Sequence, residues 1–257
     1  MNQPASTLIS EKSAALVENA AGTGKVVLVC EHAGQTIPAF IGSLGLDAGI
    51  MNSHIAWDIG AAELARGLST SLNSPLILQR YTRLAYDCNR AFDAIDAIVV
   101  ESDNIPIPAN AELGLEQRCK RYDEIYVPFE NAISNLLDER QERQQDTILV
   151  TVHSFTSVYK GQSRGVDLGI LHDEDTRLAD ALLLQTSRVS GFLAARNEPY
   201  SPKDGVTHNL ITHGIKRGLA NVMLEIRNDL ISDETGQQLW TERLTSLLKH
   251  AMDNNRF

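Results

Sequence analysis

The sequence predicts an α/β protein in which a largely parallel β-sheet lies between two layers of helices, a three-layer α/β/α sandwich. Two features predict this architecture. Mainly apolar runs at 26–29, 147–152 and 221–224 are typical of strands that are buried on both faces of a parallel sheet. Stretches with apolar residues at helical spacing separate such runs, so that strands and helices alternate along the chain. The length of 257 residues accommodates one large domain or two small ones.

The remaining elements follow from local patterns of apolar, proline and glycine residues. Further strands are expected at 75–78, 165–171 and 192–195. Helices are expected at 8–19, from Asp58 to Leu72, at 115–144 with a break near Pro128, at 176–188 and at 236–252. Pro106 and Pro108 make 102–110 irregular, and the polar, glycine-containing stretch 208–218 is expected to be a loop.

Composition and charge exclude several classes of protein. The formal net charge of −10 argues against a nucleic-acid partner, because phosphate binding needs a clustered basic surface. No stretch approaches the roughly 18 consecutive apolar residues of a spanning helix, and the first 25 residues do not resemble a signal peptide, so no membrane partner is expected. Three cysteines without CxxC spacing favour a reducing compartment, and we expect a cytoplasmic protein.

Polar side chains that are suited to hydrolysis follow three of the apolar runs. Glu31 and His32 follow the run at 26–29, His153 follows 147–152, and Glu225 follows 221–224. Ligands bind outside the carboxyl ends of the strands in open α/β sheets, so these residues are expected to converge. Two imidazoles and one carboxylate leave an open position on zinc. Glu225 would then accept a proton from the attacking water.

Arginines form the second half of the expected site. Arg83 and Arg90, with Asn89, occupy one short segment after a predicted strand, and planar guanidinium groups suit a bidentate grip on a carboxylate. Arg83 could instead face a carbonyl oxygen and stabilise the oxyanion that forms on attack. Arg164 is a further candidate partner for a carboxylate, although a surface ion pair explains it more simply.

Six sequence blocks, in this order, resemble the N-formylglutamate amidohydrolase family: CEHAGQTIP, HIAWDIGA, RLAYDCNRAF, TVHSF, NEPYS and VMLEIRNDLI. They run from position 26 to the terminal helix, so the resemblance implies a single domain over 1–257 with a peripheral N-terminal segment, 1–25. The family is similar to zinc carboxypeptidases and to the aspartoacylase and succinylglutamate desuccinylase group. The resemblance therefore implies a phosphorylase/hydrolase-like fold with a mixed central sheet, and a zinc-dependent enzyme with one divalent metal per chain.

The resemblance also implies roles for individual residues. His32 and His153 stand at the positions of the first and last metal histidines, and Glu225 stands at that of the catalytic carboxylate. Asn89 and Arg90 match the DxNR segment that holds the substrate carboxylate, and Arg83 resembles the arginine that polarises the carbonyl group.

One departure concerns the third metal ligand. The carboxypeptidase relatives place a carboxylate three residues after the first histidine, where this chain has Gln35. Asp58 and Glu31 are the candidates for the missing ligand. We prefer Asp58, because Glu31 is adjacent to His32 and successive side chains of a strand point in opposite directions. Asp58 could equally be a helix cap.

Asn197, Tyr200 and Cys30 each allow more than one interpretation. Asn197 and Tyr200 could close the substrate pocket, although a turn framed by prolines explains them equally well. Cys30 raises a thiol mechanism, which an apolar neighbourhood would disfavour. The expected reaction is hydrolysis of a small anionic N-acyl amino acid such as N-formyl-L-glutamate, with release of formate. The alternatives are a carboxypeptidase-like hydrolase of another amidated acid and a non-catalytic protein that binds an acidic metabolite.

Overall fold

A seven-stranded mixed sheet forms the centre of the protein. The computed structural model describes residues 13–189 and 191–255. In these residues the strands are β1 (Ala15–Glu18), β2 (Val26–Cys30), β3 (Leu76–Gln79), β4 (Glu101–Ser102), β5 (Ile105–Pro106), β6 (Ile148–Phe155), β7 (Val158–Tyr159), β8 (Gln162–Ser163), β9 (Leu168–Leu171), β10 (Ala194–Arg196) and β11 (Asn221–Arg227). The α-helices are α1 (Ala48–Met51), α2 (Ala61–Leu72), α3 (Leu115–Arg121), α4 (Val127–Glu142), α5 (Arg177–Thr186) and α6 (Glu234–Asp253).

The strand order explains why the sheet is mixed. The order is β1-β3-β2-β6-β11-β9-β10, and the four strands from β3 to β11 in this order are parallel. β1 is antiparallel to β3 at one edge, and β9 is antiparallel to β11 near the other. β4 with β5 and β7 with β8 form two separate hairpins. The expected α/β fold with a mixed central sheet is confirmed.

The two faces of the sheet are covered by different helices. Val26 and Leu28 of β2 pack with α2, α5 and α6 on one face, where Trp240 and Leu244 are almost completely buried. Val27 and Val29 face the other side and pack with Phe129 and Ile133 of α4. Burial of each side chain of this size stabilises the fold by about 1.5–3 kcal/mol, so both helical layers are needed. None of the helices within the described ranges has the length and hydropathy that a bilayer crossing requires.

The long helix expected at 115–144 is interrupted just before Pro128. Residues Tyr122–Tyr126 form a π-helical turn between α3 and α4. Pro128 follows this turn at the start of α4, and because it has no backbone N–H it cannot continue the helical hydrogen-bond pattern at that point. Arg121, at the end of α3, is buried and donates to the carbonyl oxygen of Ala85 and to Oδ1 of Asn110. This contact attaches the helix to the segment that carries the arginines.

Three predictions of local structure are wrong. The stretch 102–110, expected to be irregular, contains most of the hairpin of β4 and β5 and a 3₁₀ turn at Pro108–Asn110. The helix expected at 8–19 lies partly outside the described residues, since 1–12 are not described, and its second half is β1 rather than a helix. Here pairing with the free edge of β3 outweighs local helix propensity. The loop expected at 208–218 is helical, with a π-turn at Leu210–Gly214 and a 3₁₀ turn at Ile215–Arg217. Leu210 is buried against Met223 of β11, so tertiary packing holds this segment despite its polar composition.

Candidate active site

His153 and Glu225 lie inside strands, side by side on the sheet. We expected β6 and β11 to end at these residues, but the strands continue to Phe155 and Arg227, and Glu225 is in register with His153. Val152 and Leu224 pack with the α2, α5 and α6 layer. Because side chains alternate along a strand, His153 and Glu225 point to the opposite face. A pleated strand can therefore present a functional group without ending.

Two histidines and one aspartate form a buried cluster that could hold a metal ion. The available nitrogen and oxygen atoms of His32, Asp58 and His153 all lie within 4.8 Å of one another. Oδ2 of Asp58 lies 2.9 Å from Nδ1 of His153 and 3.4 Å from Nδ1 of His32. Two imidazole nitrogens and one carboxylate oxygen suit zinc and other borderline divalent cations, so the residues present fit the expected metal. Nothing in the cluster selects zinc among these cations.

Each imidazole has a second carboxylate on its other side. Nε2 of His32 lies 2.7 Å from Oδ1 of Asp87, and Nε2 of His153 lies 2.9 Å from Oε2 of Glu31. Both rings therefore direct Nδ1 towards Asp58 and Nε2 towards an outer carboxylate. Carboxylates in this position orient metal-binding histidines and raise their basicity.

Asp58 is held by contacts that belong to the site and not to a helix end. The backbone N–H of Ser154 donates to its Oδ2 at 3.1 Å, and Nη1 of Arg83 donates to its Oδ1 at 3.3 Å. α2 begins only at Ala61, so the helix-cap reading of Asp58 is wrong. Burial raises the pKa of Asp58, but the neighbouring imidazoles of His32 and His153 lower it by a larger amount. The net pKa of Asp58 is therefore far below the usual value.

The other buried groups show the same mutual stabilisation. Burial raises the pKa values of Glu31 and Asp87. The imidazole of His153 is the main group that lowers the pKa of Glu31, and the imidazole of His32 is the main group that lowers that of Asp87. Both net pKa values lie below the usual value. Burial lowers the pKa of His153, whereas the charges of Glu31 and Asp58 raise it well above the ordinary value. The cluster thus favours ionised carboxylates around the imidazoles.

A cavity of about 320 Å³ opens onto this cluster. It offers room for a small molecule and is lined by both polar and apolar side chains. Its wall consists of His32, His54, Ile55, Asp58, Arg83, Asn89, Arg90, Ser102, His153, Ser154, Phe155, Thr156, Tyr159, Tyr200, Asp204, Val206 and Glu225.

Glu225 is the carboxylate of the cavity wall with the environment of a general base. Its side chain is buried, and Oε2 has no hydrogen-bond partner among the described residues. Burial, reinforced by the charge of Asp58, raises the pKa of Glu225 to about 7, although the nearby imidazoles and Arg83 act in the opposite direction. A carboxylate with a pKa near neutrality can both accept and return a proton.

Arg83, Asn89 and Arg90 all line the cavity, but their donors are already partly engaged. Arg83 bridges Asp58 and Asp87, and its Nη2 lies 3.4 Å from Oδ2 of Asp87. The side-chain amide of Asn89 donates to the carbonyl oxygen of Val206 at 2.6 Å. Arg90 donates through Nε to Asp96 at 2.7 Å and through Nη1 to the carbonyl oxygen of Gly205 at 3.0 Å.

The three remaining predicted site residues, Tyr200, Arg164 and Asn197, lie at different positions relative to the cavity. Tyr200 lines the cavity, and Arg164 lies behind it with Nη1 donating to the Tyr200 hydroxyl at 3.0 Å. The Arg164 guanidinium also stacks on the rings of Tyr159 and Tyr200, 4.7 and 4.8 Å from their centroids. The Asn197 side chain is directed elsewhere, since its Oδ1 accepts a hydrogen bond from the backbone N–H of His172 at 2.9 Å.

The thiol of Cys30 faces away from the site. Cys30 packs with Val26 and Leu28 in the α2, α5 and α6 layer. Burial and the charges of Asp58 and Glu31 raise its pKa well above the ordinary value. A thiol on the opposite face of the sheet has neither the position nor the ionisation that nucleophilic attack requires.

Two residues of the site were missed by sequence reasoning. Asp87 belongs to the DCNR block, and its carboxylate accepts from the backbone N–H of Asn89 as well as contacting His32. Asn209 donates to Oε1 of Glu31 at 2.8 Å. The DxN turn was a possible signal for Asp87, since a short acidic side chain often bonds the backbone two residues on. No comparable signal marks Asn209 in the sequence.

Comparisons with known proteins agree with the fold and with the family that the sequence blocks resemble. The model of the family described as N-formylglutamate amidohydrolase matches residues 24–232. The chain is similar to the crystal structure of gene product Atu2144 from Agrobacterium tumefaciens, with 46% identity, a TM-score of 0.91, and coverage of 94% of this chain and 95% of that chain. It is also similar in fold to N-formylglutamate amidohydrolase from Ralstonia eutropha JMP134, with 18% identity, a TM-score of 0.69, and coverage of 94% and 98%. A search of curated proteins finds no match.

Proposed function

Because this chain belongs to the N-formylglutamate amidohydrolase family, we propose that it is a metal-dependent enzyme that deacylates an acidic amino acid such as N-formyl-L-glutamate. Water breaks the C–N bond of the amide, and the products are formate, or a related short acid, and the free amino acid. The observation that carries the proposal is the convergence of His32, Asp58, His153 and Glu225 on one cavity that Arg83 also lines.

His32, Asp58 and His153 would hold the cation, with zinc as our expectation. Their donor atoms are close together, and all three side chains reach the cavity wall. When bound, a divalent cation supplies Lewis acidity, which polarises the amide carbonyl and lowers the pKa of a nearby water. Asp58 is preferred to Glu31 as the third ligand because only Asp58 lies between the two Nδ1 atoms.

Glu225 is proposed as the group that moves the proton. Its buried Oε2 is unpaired among the described residues, and it shares the cavity with the candidate metal ligands. It accepts the proton of the attacking water and then delivers it to the leaving nitrogen, so that the amine departs neutral. A pKa of about 7 suits both steps, since neither direction of transfer is strongly uphill near neutral pH.

The arginines are proposed to bind the negative charges of the substrate, both the charge that develops on the acyl oxygen during attack and the permanent charge of the α-carboxylate. Arg83 lies at the cavity beside Asp58 and would stabilise the oxyanion that forms on the acyl oxygen. Arg90, with Asn89, would bind the α-carboxylate. Nη2 of Arg90 makes no hydrogen bond within the described part of the chain and is free for this role, whereas Asn89 mainly positions the segment through Val206.

The substrate side chain is proposed to extend towards Tyr200 and Arg164. Arg164 makes no ion pair with a carboxylate in 13–189 and 191–255, and its contacts are the hydroxyl of Tyr200 and aromatic rings. A second carboxylate on the substrate would supply the missing partner. Asn197 supports this wall indirectly, by holding the chain just before Tyr200 through its bond to His172.

The first experiment combines metal analysis of the purified protein with an assay of substrate cleavage. Formate or acetate release is measured from N-formyl-L-glutamate, N-formyl-L-aspartate and N-acetyl-L-glutamate, before and after treatment with a chelator. We expect about one divalent metal per chain and chelator-sensitive release of formate from N-formyl-L-glutamate. Metal-free protein that binds these acids without cleaving them would contradict the proposal and favour the metabolite-binding alternative. Cleavage of larger amidated acids alone would favour the carboxypeptidase-like alternative.

The state of the cysteines is the basis for a proposed cellular location. Cys30, Cys88 and Cys119 are all free thiols in the described structure. A reducing compartment preserves free thiols, so we expect the protein in the cytoplasm.

A further inference from the structure

We infer that Glu31 is a positioning residue that holds the imidazole of His153 from behind, and that Asn209 in turn holds Glu31. The inference rests on the proposed function, because it assumes that His32, Asp58 and His153 bind a cation. It goes further by assigning Glu31 to a role other than metal ligation and by bringing Asn209, a residue distant in sequence, into the site.

The position of Glu31 distinguishes it from a ligand. Its side chain is completely buried, at 0% exposure, and it lies behind the described wall of the cavity. It approaches Nε2 of His153, whereas Asp58 approaches Nδ1 of the same ring. The two carboxylates therefore lie on opposite edges of one imidazole, and only the Asp58 edge also faces His32.

Two buried polar atoms define what Glu31 does. Nε2 of His153 and Oε2 of Glu31 are both buried without an aligned hydrogen bond among the described residues, yet they lie 2.9 Å apart. Buried polar atoms are almost always paired, so a small rotation that aligns these two atoms satisfies both. An ionised carboxylate only accepts hydrogen bonds. Nδ1 of His153 hydrogen-bonds to Oδ2 of Asp58 at 2.9 Å, on the side of the proposed cation site. A cation bound on that side would take the lone pair of Nδ1, and the ring would then keep its proton on Nε2 and donate it to Glu31.

Asn209 holds the Glu31 carboxylate, which in turn contacts the imidazole of His153. Its Nδ2 donates to Oε1 of Glu31 at 2.8 Å and to the carbonyl oxygen of Cys88 at 3.2 Å, and the side chain is buried. Its backbone N–H donates to Oδ1 of Asn89 at 3.3 Å. The segment that contains Asn209 thus sets the rotation of the Glu31 carboxylate while it also contacts the proposed substrate-binding segment.

The contact of Asp87 with His32 is the matching arrangement on the other ligand. There Oδ1 of Asp87 lies 2.7 Å from Nε2 of His32 in an aligned hydrogen bond, and Nδ1 again faces Asp58. The same arrangement, with Nε2 towards an outer carboxylate and Nδ1 towards Asp58, is therefore present on both rings and is held by different segments of the chain. This agreement supports a positioning role for Glu31 and not a ligand role.

Metal affinity tests the inference without relying on turnover. Zn²⁺ and Co²⁺ binding to chelator-treated protein is measured by competition with a chromophoric chelator, and the visible spectrum of the Co²⁺ protein reports ligand geometry. We expect Glu31→Gln to weaken binding about 10–100-fold and to alter the Co²⁺ spectrum, because the amide can present N–H to Nε2 and favour the wrong tautomer. Asn209→Ala should weaken binding in the same direction by a smaller factor. His153→Ala and Asp58→Asn should weaken it more than either.

The matched control is Glu130→Gln, which removes the carboxylate from a second Glu–His pair. Oε2 of Glu130 lies 2.8 Å from Nε2 of the buried His213. We expect wild-type affinity and an unchanged Co²⁺ spectrum for this variant.

Three outcomes would overturn the inference. The first is a Glu31→Gln variant with wild-type affinity and spectrum. The second is a loss of metal affinity in Glu31→Gln that is as large as the loss in His153→Ala, together with wild-type metal affinity in Asp58→Asn. This result would make Glu31 the ligand. The third, should Glu31→Gln fail to fold, is an Asn209→Ala variant with wild-type affinity. Wild-type protein that binds neither metal would instead refute the proposed function, so the two failures are distinguishable.

Discussion

Glu225 and His153 are register neighbours on the adjacent parallel strands β11 and β6, and both side chains line the same cavity. Adjacent strands lie about 4.8 Å apart, so the sheet itself sets the separation between the proposed base and a proposed metal ligand. The buried backbone hydrogen bonds of the two strands hold this separation. The proposed chemistry therefore depends on the pairing of two central strands of the sheet.

Replacement of Glu225 by glutamine should abolish proton transfer while leaving the metal site intact. We expect kcat for the formyl substrate to fall about 10²–10⁴-fold, because general acid–base catalysis contributes effects of this size. Metal content should stay at the wild-type level, since Glu225 is not part of the His32, Asp58 and His153 cluster. Steady-state assays and elemental analysis measure the two quantities, with the exposed Glu242→Gln as control. Retained turnover would remove Glu225 from the mechanism.

Replacement of Arg83 by lysine should impair the chemical step more than substrate binding. Lysine keeps the positive charge but cannot bridge Asp58 and Asp87 with one planar group, as Arg83 does. If Arg83 stabilises the oxyanion, kcat and kcat/KM should fall together, by about 10–10³-fold. Michaelis–Menten analysis of formate release separates the two constants. A higher KM with unchanged kcat would place Arg83 in ground-state binding instead.

Replacement of Arg164 by methionine should discriminate between acidic and neutral substrates. Hydrogen bonds to charged groups contribute about 1.5–3 kcal/mol, so KM for N-formyl-L-glutamate should rise about 10–100-fold. N-formyl-L-glutamine, which lacks the side-chain charge, should be affected much less. Arg177→Met is the control, because Arg177 is exposed and pairs with Asp175 outside the cavity wall. Equal losses with both substrates would show that Arg164 only supports Tyr200.

The pair of Glu130 and His213 should make stability depend on pH. Burial raises the pKa of Glu130, but the hydrogen bond from His213 and the nearby imidazole charges lower it more, and the net pKa lies below the usual value. A carboxylate with a lowered folded-state pKa stabilises the fold fully above its unfolded pKa of about 4.3. That stabilisation is lost as the pH falls through the lower, folded-state pKa.

Glu130→Gln should therefore be less stable than the wild type by about 1 kcal/mol near neutral pH. The difference should shrink as the pH falls below about 4.3, because the wild-type carboxylate then becomes neutral as well. Urea unfolding at several pH values measures both effects. Glu139→Gln, at an exposed pair with Arg143 on the same helix, should change stability little at any pH. A pH-independent difference for Glu130→Gln would contradict the charge-based explanation.

Much of the fold was predictable because its strands are strongly apolar. The runs that become β2, β6 and β11 are buried throughout, so their composition alone identified them. β1 was missed, since four residues at a sheet edge carry little pattern and depend on pairing with β3. The helical turns at 210–217 were missed because burial of Leu210, and not local propensity, holds them.

The candidate residues were predictable as a set, but their roles depended on side-chain direction. The three sequence blocks around His32, His153 and Glu225 indicated one cavity, and all three residues line it. Asn197 belongs to a matching block as well, yet its side chain turns to the backbone of His172. Sequence spacing indicates which strand end a residue occupies, whereas the contacts of a loop side chain depend on neighbours that are distant in the chain.

By itself, the sequence determined the family, the α/β layers and the presence of two imidazoles and several carboxylates near the carboxyl ends of the central parallel strands. Only the tertiary structure decided which carboxylate faces which ring nitrogen. Asp58 contacts Nδ1 of His153 across 95 residues, and Asn209 reaches Glu31 across 178 residues. Such contacts depend on how distant segments pack and how each ring rotates within the core. No local pattern of residue types records that rotation, because the same residues could satisfy one another in either orientation.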